Sequence, residues 1–271
     1  MHPVQLVDEL KKHTHLLLGL GIENQALGRF FVAQGIPFAV ADAQQGIAVQ
    51  SLQKEWRNQL LAWHLGPDYL EHLSAYTRIW RTPGMAVLHP ALQAAQQHGA
   101  WLDSQTRLFF ALAPTPILGV TGTKGKGTTT MLLAAALAAG PFGKVHIGGN
   151  IGTPPITFLN TLEEDHLALL ELSSFQLQDL NRSPHIGVVL RITQDHLDYH
   201  SNRQEYIQAK QAICRHQTPA DWLVFNQDCP QAQAFAHLSQ AQRLSFSTHT
   251  EPKAGAWTTA DQLWLRHPDG I

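Results

Sequence analysis

Residues 119–130 read Gly-Val-Thr-Gly-Thr-Lys-Gly-Lys-Gly-Thr-Thr-Thr, glycines and lysines interleaved ahead of a run of hydroxyls. A backbone of this composition can curl around an anion. The usual phosphate loop, G-x-x-x-x-G-K-[ST], would need glycine at Val120 and a hydroxyl at Gly127, so the stretch departs from that pattern at both ends. Gly122, Gly125 and Gly127 still allow successive N–H groups to point inward, and a helix starting near Lys126 would add its positive end. Lys126 can then reach the β- and γ-phosphates of a nucleotide, with Thr123 and Lys124 completing the loop. The hydroxyl that normally follows the lysine is displaced to Thr128. The competing reading is a glycine-rich strand-to-helix turn without a ligand.

Two further clusters carry chemistry of a matching kind. Glu171-Leu-Ser-Ser-Phe-Gln-Leu177 follows an apolar strand, and in an open α/β sheet ligands collect outside the carboxyl ends of the strands. One carboxylate there suffices for Mg²⁺, which takes one or two carboxylates plus phosphate and water. Glu171 could equally cap the helix that follows. Arg191-Ile-Thr-Gln-Asp-His-Leu-Asp-Tyr-His200 ends another strand, and a helix beyond it carries Lys210. His196 and Lys210 would flank the same sheet edge; taken singly, each reads as a structural imidazole and a solvated lysine.

The elements that must position these residues alternate. His15–Leu20 reads as a buried parallel strand, a helix is expected from about Gln25 to Gln34, and Phe38–Ala41 gives a second strand ending in Asp42. The Gly19-Leu-Gly21 turn with an acidic residue about twenty positions later outlines a dinucleotide fold, although Gln25 replaces the third glycine. Residues 51–76 are polar and aromatic without clear period, Arg81–Gly84 is a loop, and helices are expected over Pro90–His98 and Asp103–Leu112. Ala113-Pro-Thr-Pro116 marks a boundary, dividing the chain into domains 1–113 and 114–271. Strands then follow at 117–120, 167–172, 186–192 and 223–225, with helices at 126–139 and 203–216. This pattern predicts α/β architecture: a Rossmann-like parallel-sheet domain, then a phosphate-loop, doubly wound domain. Residues 256–266 alternate as an antiparallel hairpin turning near Ala260-Asp261.

Composition narrows the partners. The 271 residues carry 19 Lys+Arg against 21 Asp+Glu, so no basic field exists for a nucleic acid. The longest apolar run, 131–139, is too short to span a bilayer, and no leader pattern opens the chain, so a cytoplasmic protein is expected. Cys214 and Cys229 lack C-x-x-C spacing and fit a reducing compartment. The 16 histidines are scattered and show no H-E-x-x-H or finger spacing.

Four segments in order give a resemblance. The T-G-T-x-G-K loop at 121–126, Gly148-Gly-Asn-Ile-Gly152, Glu171-Leu-Ser-Ser-Phe-Gln-Leu177, and Thr193-x-Asp-His-Leu-Asp198 with Lys210 a helix later resemble the Mur ligase family, ATP-dependent amino-acid ligases of peptidoglycan precursor synthesis. The Ser-Ser-Phe-Gln-Leu run is its most specific part and resembles the D-glutamate-adding branch. The resemblance runs from about His15 to the end, with Pro83-Gly84 and His89-Pro90 also fitting.

It implies that Lys126, Thr128 and the backbone of 122–128 hold ATP phosphates and Mg²⁺. Glu171 would bind Mg²⁺, His196 would lie near a second metal ion, and Lys210 would be carbamylated, turning a cation into an anionic ligand. Asn150 and Ser173 would contact the muramoyl-alanine part of UDP-N-acetylmuramoyl-L-alanine, and Ile22, Glu23 and Asp42 the uridine. The implied reaction passes phosphoryl from ATP to the alanine carboxylate; the D-glutamate amine then attacks the acyl phosphate. A monomer is expected.

Two departures accompany the resemblance. Gly127 replaces the Ser or Thr that more usually follows the lysine, a replacement resembling that of the related folylpolyglutamate synthetases. No counterpart of the family's C-terminal, amino-acid-receiving domain is seen, which raises the expectation of a truncated chain that binds UDP-sugar or ATP without ligation. The other readings are a different amino-acid or folate ligase, against which the Ser-Ser-Phe-Gln-Leu run speaks, and a dehydrogenase using the Gly19–Gly21 turn.

Overall fold

The structure, a computed structural model, describes residues 3–193 and 202–267. Apolar runs too short for helices become buried strands, and the chain folds as two compact α/β units, Met1–Leu112 with Pro154–Asn160, and Ala113–Thr153 with Thr161–Ile271.

In the first unit the order is α1 (Pro3–Leu10), β1 (His15–Leu18), α2 (Ile22–Gln34), β2 (Phe38–Asp42), α3 (Ile47–Trp56), β3 (Leu60–Leu65), a 3-10 turn (Leu73–Ala75), β4 (Arg78–Arg81), α4 (Pro90–Gln97), β5 (Trp101–Asp103) and α5 (Gln105–Leu112). The sheet runs β3-β2-β1-β4-β5 and is parallel throughout. All four residues of β1 are buried because both faces are covered. Leu16, Leu18, Ala39, Ala41 and Ile79 pack on one side with Leu73, Leu92 and Ala95. Phe31 of α2 meets Phe38 and Trp80 edge-on. Connections leave β1 and β4 in opposite directions, so the switch point lies at the end of β1, beside the Gly19–Gly21 turn.

The second unit contains β6 (Ile117–Thr121), α6 (Lys126–Leu137), β7 (Val145–Gly149), β8 (Leu167–Glu171), α7 (Ser174–Leu177), β9 (Ile186–Val189), α8 (Arg203–Lys210), a 3-10 turn (Gln211–Ile213), β10 (Trp222–Asn226), α9 (Pro230–Leu238), β11 (Gln242–Ser247), β12 (Gly255–Thr259) and β13 (Gln262–Arg266). Its sheet runs β13-β12-β11-β10-β9-β6-β8-β7, parallel except for the β12/β13 hairpin. Leu118 and Val120 of β6, Leu167 and Leu169 of β8 and Val188 of β9 pack with Ala134 of α6. β6 lies between β8 and β9, and the connections after β6 and β8 depart to opposite sides. That reversal puts the ends of β6, β8 and β9 around one crevice.

The expected strands and helices form, with shifted ends. α2 starts at Ile22 rather than Gln25, and β9 stops at Val189. α8 ends at Lys210 and tightens into the 3-10 turn, where the sequence reading carried it to His216. β3, β4, β5, β7 and β11, with α1, α3 and α9, were not anticipated. Their periodicity is short, and what fixes them is pairing with strands distant in sequence. Among the described residues no helix is long and apolar enough to cross a membrane. Both cysteines are free and buried, and burial pushes the Cys214 thiol up to about 12.

Candidate active site

The loop after β6 is built from the inside out. All five residues of β6 are buried, and the Thr121 hydroxyl donates to Leu172 O at 2.9 Å, tying the strand end to the segment after β8. Gly125 precedes α6 at φ 83°, a left-handed conformation that costs glycine nothing, and no side chain caps the helix. The N-terminal end of α6 is therefore available to an anion. Lys126 folds back over its own loop, with Nζ donating to Gly122 O at 3.2 Å and Thr123 O at 3.1 Å. Lys124 and Thr128 are exposed.

Thr123 behaves differently from the rest of the loop. Its N–H donates to Arg191 O at 2.9 Å, its hydroxyl accepts from Thr193 N at 2.9 Å, and that hydroxyl lies 3.0 Å from the Tyr206 hydroxyl. Both polar groups that the sequence reading offered to phosphate are already engaged inside the unit.

Glu171, the last residue of β8, is 5% exposed. Its Oε1 accepts from Asn150 Nδ2 at 2.7 Å, while Asn150 N donates to Glu171 O at 2.9 Å. This double contact requires the preceding residue to be glycine. Gly149 has φ 95°, and a methyl there would stand 2.1 Å from Glu171 O. On its other side the carboxylate faces α6, since a methyl at Gly127 would lie 3.1 Å from Glu171 Oε2. Glu171 does not cap the next helix. Ser173 does, its hydroxyl accepting from Gln176 N at 3.2 Å while Ser173 N donates to Gln176 Oε1 at 3.0 Å, a reciprocal capping box.

Lys210 is 1% exposed at the end of α8. Its Nζ donates to Gly122 O at 3.1 Å and Thr121 Oγ1 at 3.3 Å, and lies 4.8 Å from the centre of the Tyr206 ring. The solvated-lysine reading therefore does not hold for Lys210. Its partners pair α8 directly with the phosphate-type loop. His196 falls outside the described residues. Loop, Glu171 and Lys210 are thus brought to one sheet end, as an anion cradle, a buried carboxylate and a buried amine.

In the first unit, Ile22 is 58% exposed beside the glycine turn. Glu23 is buried, its Oε2 accepting from Gln105 Nε2 at 3.2 Å and Thr106 Oγ1 at 3.4 Å. Asp42 caps the turn, with Oδ2 accepting from Leu20 N at 2.5 Å and Oδ1 from Gln44 N at 2.7 Å. Sequence reasoning missed Asn24, fully buried, whose Nδ2 donates to Leu18 O, Gly19 O and Trp80 O and so clamps β1 to β4 at the switch point. It also missed Arg81, whose guanidinium holds the carbonyls of Thr82, Pro83 and Met85, and Tyr206. An amide two residues into a helix after a Gly-x-Gly turn was the only local signal for Asn24.

Comparison with known proteins agrees with the α/β fold. Residues 120–266 match the Mur ligase middle domain, and residues 13–102 match the Mur ligase MurD-like, N-terminal domain. The UDP-N-acetylmuramoylalanine–D-glutamate ligase of Symbiobacterium thermophilum is 39% identical over 254 residues, covering 92% of this chain and 55% of the relative. The ligase of the same name from Acetivibrio thermocellus is 33% identical over 258 residues, covering 95% and 55%. The chain spans about half the length of the curated relatives it matches. Among solved structures, the UDP-N-acetylmuramate:L-alanyl-gamma-D-glutamyl-meso-diaminopimelate ligase from Neisseria meningitides shares the fold at TM-score 0.59 and 15% identity, over 93% of this chain and 84% of that one. The middle-domain match covers more than half of the sequence, so the chain belongs to the Mur ligase family.

Proposed function

We propose that this chain supplies the UDP-sugar-binding and ATP-binding parts of a cytoplasmic ligase that joins D-glutamate to UDP-N-acetylmuramoyl-L-alanine through an acyl phosphate. The observation that carries the reading is the convergence, at one sheet end, of a side-chain-free helix N-terminus with Lys126, the buried carboxylate Glu171 and the buried amine Lys210. The relatives' printed names supply the substrate class.

The residues fit ATP and Mg²⁺. Backbone N–H groups of the first turn of α6 and the Lys126 ammonium offer donors to phosphate oxygens, and Thr128 adds an exposed hydroxyl at the same turn. Glu171 presents Oε2 toward that turn and is held in place through Oε1. Bound Mg²⁺ would neutralise charge on the phosphoryl oxygens. Lys126 would act in the same sense, and the fixed loop would hold the phosphoryl group in line with the attacking carboxylate. A second metal would fall to His196 and to Lys210 as a carbamate. In the described form Lys210 is a donor to Gly122 O and Thr121 Oγ1, so carbamylation would require its head to leave the carbonyl while Thr121 turns its hydroxyl. Asn150 and Ser173 are assigned to the muramoyl-alanine end, and Ile22, Glu23 and Asp42 to the uridine end. The protein is taken to work as a monomer.

The test is ADP release from ATP with UDP-N-acetylmuramoyl-L-alanine, with and without D-glutamate, alongside nucleotide binding by calorimetry. Glutamate-dependent release supports the ligase. Nucleotide binding without release would make this chain a binding module, and absence of nucleotide binding would overturn the reading altogether.

A further inference from the structure

One loop residue that the sequence offers to phosphate, Thr123, has turned its chemistry inward. Thr123 N–H is used by Arg191 O, and the Thr123 hydroxyl sits between the Thr193 N–H and the Tyr206 hydroxyl, residues 70 and 83 positions away. Thr123 is 7% exposed and Tyr206 1% exposed. Tyr206 in turn lies under the Lys210 ammonium, which returns to the loop through Gly122 O. The contacts close a ring, loop to Tyr206, Tyr206 to Lys210 and Lys210 to loop, with Thr193 bonded to the same loop hydroxyl.

We propose that Thr123 is a positioning residue, a latch that fixes the phosphate loop to Arg191 and Thr193 after β9 and to Tyr206 of α8, and thereby couples occupancy of the loop to the placement of Lys210. This inference rests on the proposed nucleotide site. A loop held only by its own backbone could adapt to phosphate without α8 noticing. A loop bonded to Thr193 and Tyr206 through one hydroxyl cannot shift without stretching both bonds, and the one to Tyr206 lies in a buried place where its loss costs most. The coupling is local, and it is carried by named bonds rather than by proximity.

Three variants separate the latch from general packing. Thr123→Val keeps the shape and removes the hydroxyl, Thr123→Ser keeps the hydroxyl, and Tyr206→Phe removes the other partner. Binding of a fluorescent ATP analogue is measured together with nucleotide-induced amide-exchange protection of the peptide covering residues 203–210. For Thr123→Val the latch predicts binding weakened by roughly tenfold, the scale of one lost buried hydrogen bond, and protection of 203–210 lost. Thr123→Ser restores both. Thr123→Val with Tyr206→Phe is no worse than Thr123→Val alone, since the bond that Tyr206→Phe breaks is one of the two that Thr123→Val already removes. Wild-type protein that binds the analogue while Thr123→Val retains full protection of 203–210 overturns the latch and leaves the nucleotide site standing. Wild-type protein that fails to bind removes the site on which the latch depends. Variants whose circular dichroism shows unfolding are replaced by Tyr206→Phe alone, which predicts the same loss of protection and decides the question by itself.

Discussion

Lowering the pH should weaken the first unit through one buried imidazole, His15. It is fully buried at the start of β1, against Phe31 and Trp80. The Trp80 indole N–H donates to His15 Nδ1 at 3.0 Å, so the ring proton resides on Nε2, which donates to Leu10 O at 2.7 Å. Protonating Nδ1 would set two donors against each other in a dry site. Burial, opposed by the Leu10 carbonyl and assisted by Arg78 and His13, lowers the pKa from 6.5 to about 4. The unfolded chain therefore binds a proton near pH 6.5 and the folded chain only near 4. The His15 contribution is complete above 6.5, falls as pH drops through that window and stops changing below 4. At ~1.4 kcal/mol per pH unit the loss amounts to about 3 kcal/mol, a large share of the stability of an ordinary domain. Urea denaturation followed by tryptophan emission from pH 7.5 to 4 at fixed ionic strength, wild type against His15→Gln, isolates this group. The glutamine can accept from Trp80 and donate to Leu10 without titrating. The stability difference between the two proteins should shift by about 3 kcal/mol across the window; a difference that stays constant with pH would refute the argument.

Other outcomes follow from the second unit. Gly149→Ala combines a left-handed backbone with a methyl 2.1 Å from Glu171 O, so it should destabilise the second unit by roughly 3–5 kcal/mol, measured by the urea midpoint; wild-type stability would show that β7 can move aside. Lys126→Ala should reduce ATP affinity by about two orders of magnitude, the scale of a desolvated charge-assisted contact, with the fold intact by circular dichroism. If Lys210 carries a carbamate, ¹³C-bicarbonate should give one protein-bound carbamate resonance that Lys210→Ala abolishes, and added short carboxylates should restore part of any turnover lost; a resonance that survives the substitution assigns the carbamate elsewhere. Asn150→Ala should weaken Mn²⁺ binding, read by electron paramagnetic resonance, several-fold by freeing Glu171 Oε1. Unchanged affinity would mean that the backbone alone fixes Glu171.

Much of the site could be read along the chain because its parts are local. A strand ending at Thr121, glycines at 122, 125 and 127, and a helix from Lys126 are consecutive, so turn chemistry and periodicity identify them without knowledge of the fold. The same holds for Glu171, which ends an apolar run, and for the hairpin that turns at Ala260, the one non-glycine with positive φ among the described residues. Asn24 and Tyr206 escaped notice because each looks ordinary among its neighbours and gains its meaning from partners 56 and 83 positions away.

The sequence by itself determined that two parallel-sheet units are present and that an anion-binding turn, a carboxylate and a lysine stand at strand ends, because strand period, helix length and glycine placement are short-range properties. Only the tertiary structure decided what those groups are bonded to. Strand order put β6 between β8 and β9, which set Glu171 against Asn150 and Gly127, buried Lys210 beneath the loop and turned Thr123 inward. Hydrogen-bond partners in a dry interior are chosen by which distant strands lie side by side, and no local window contains that choice.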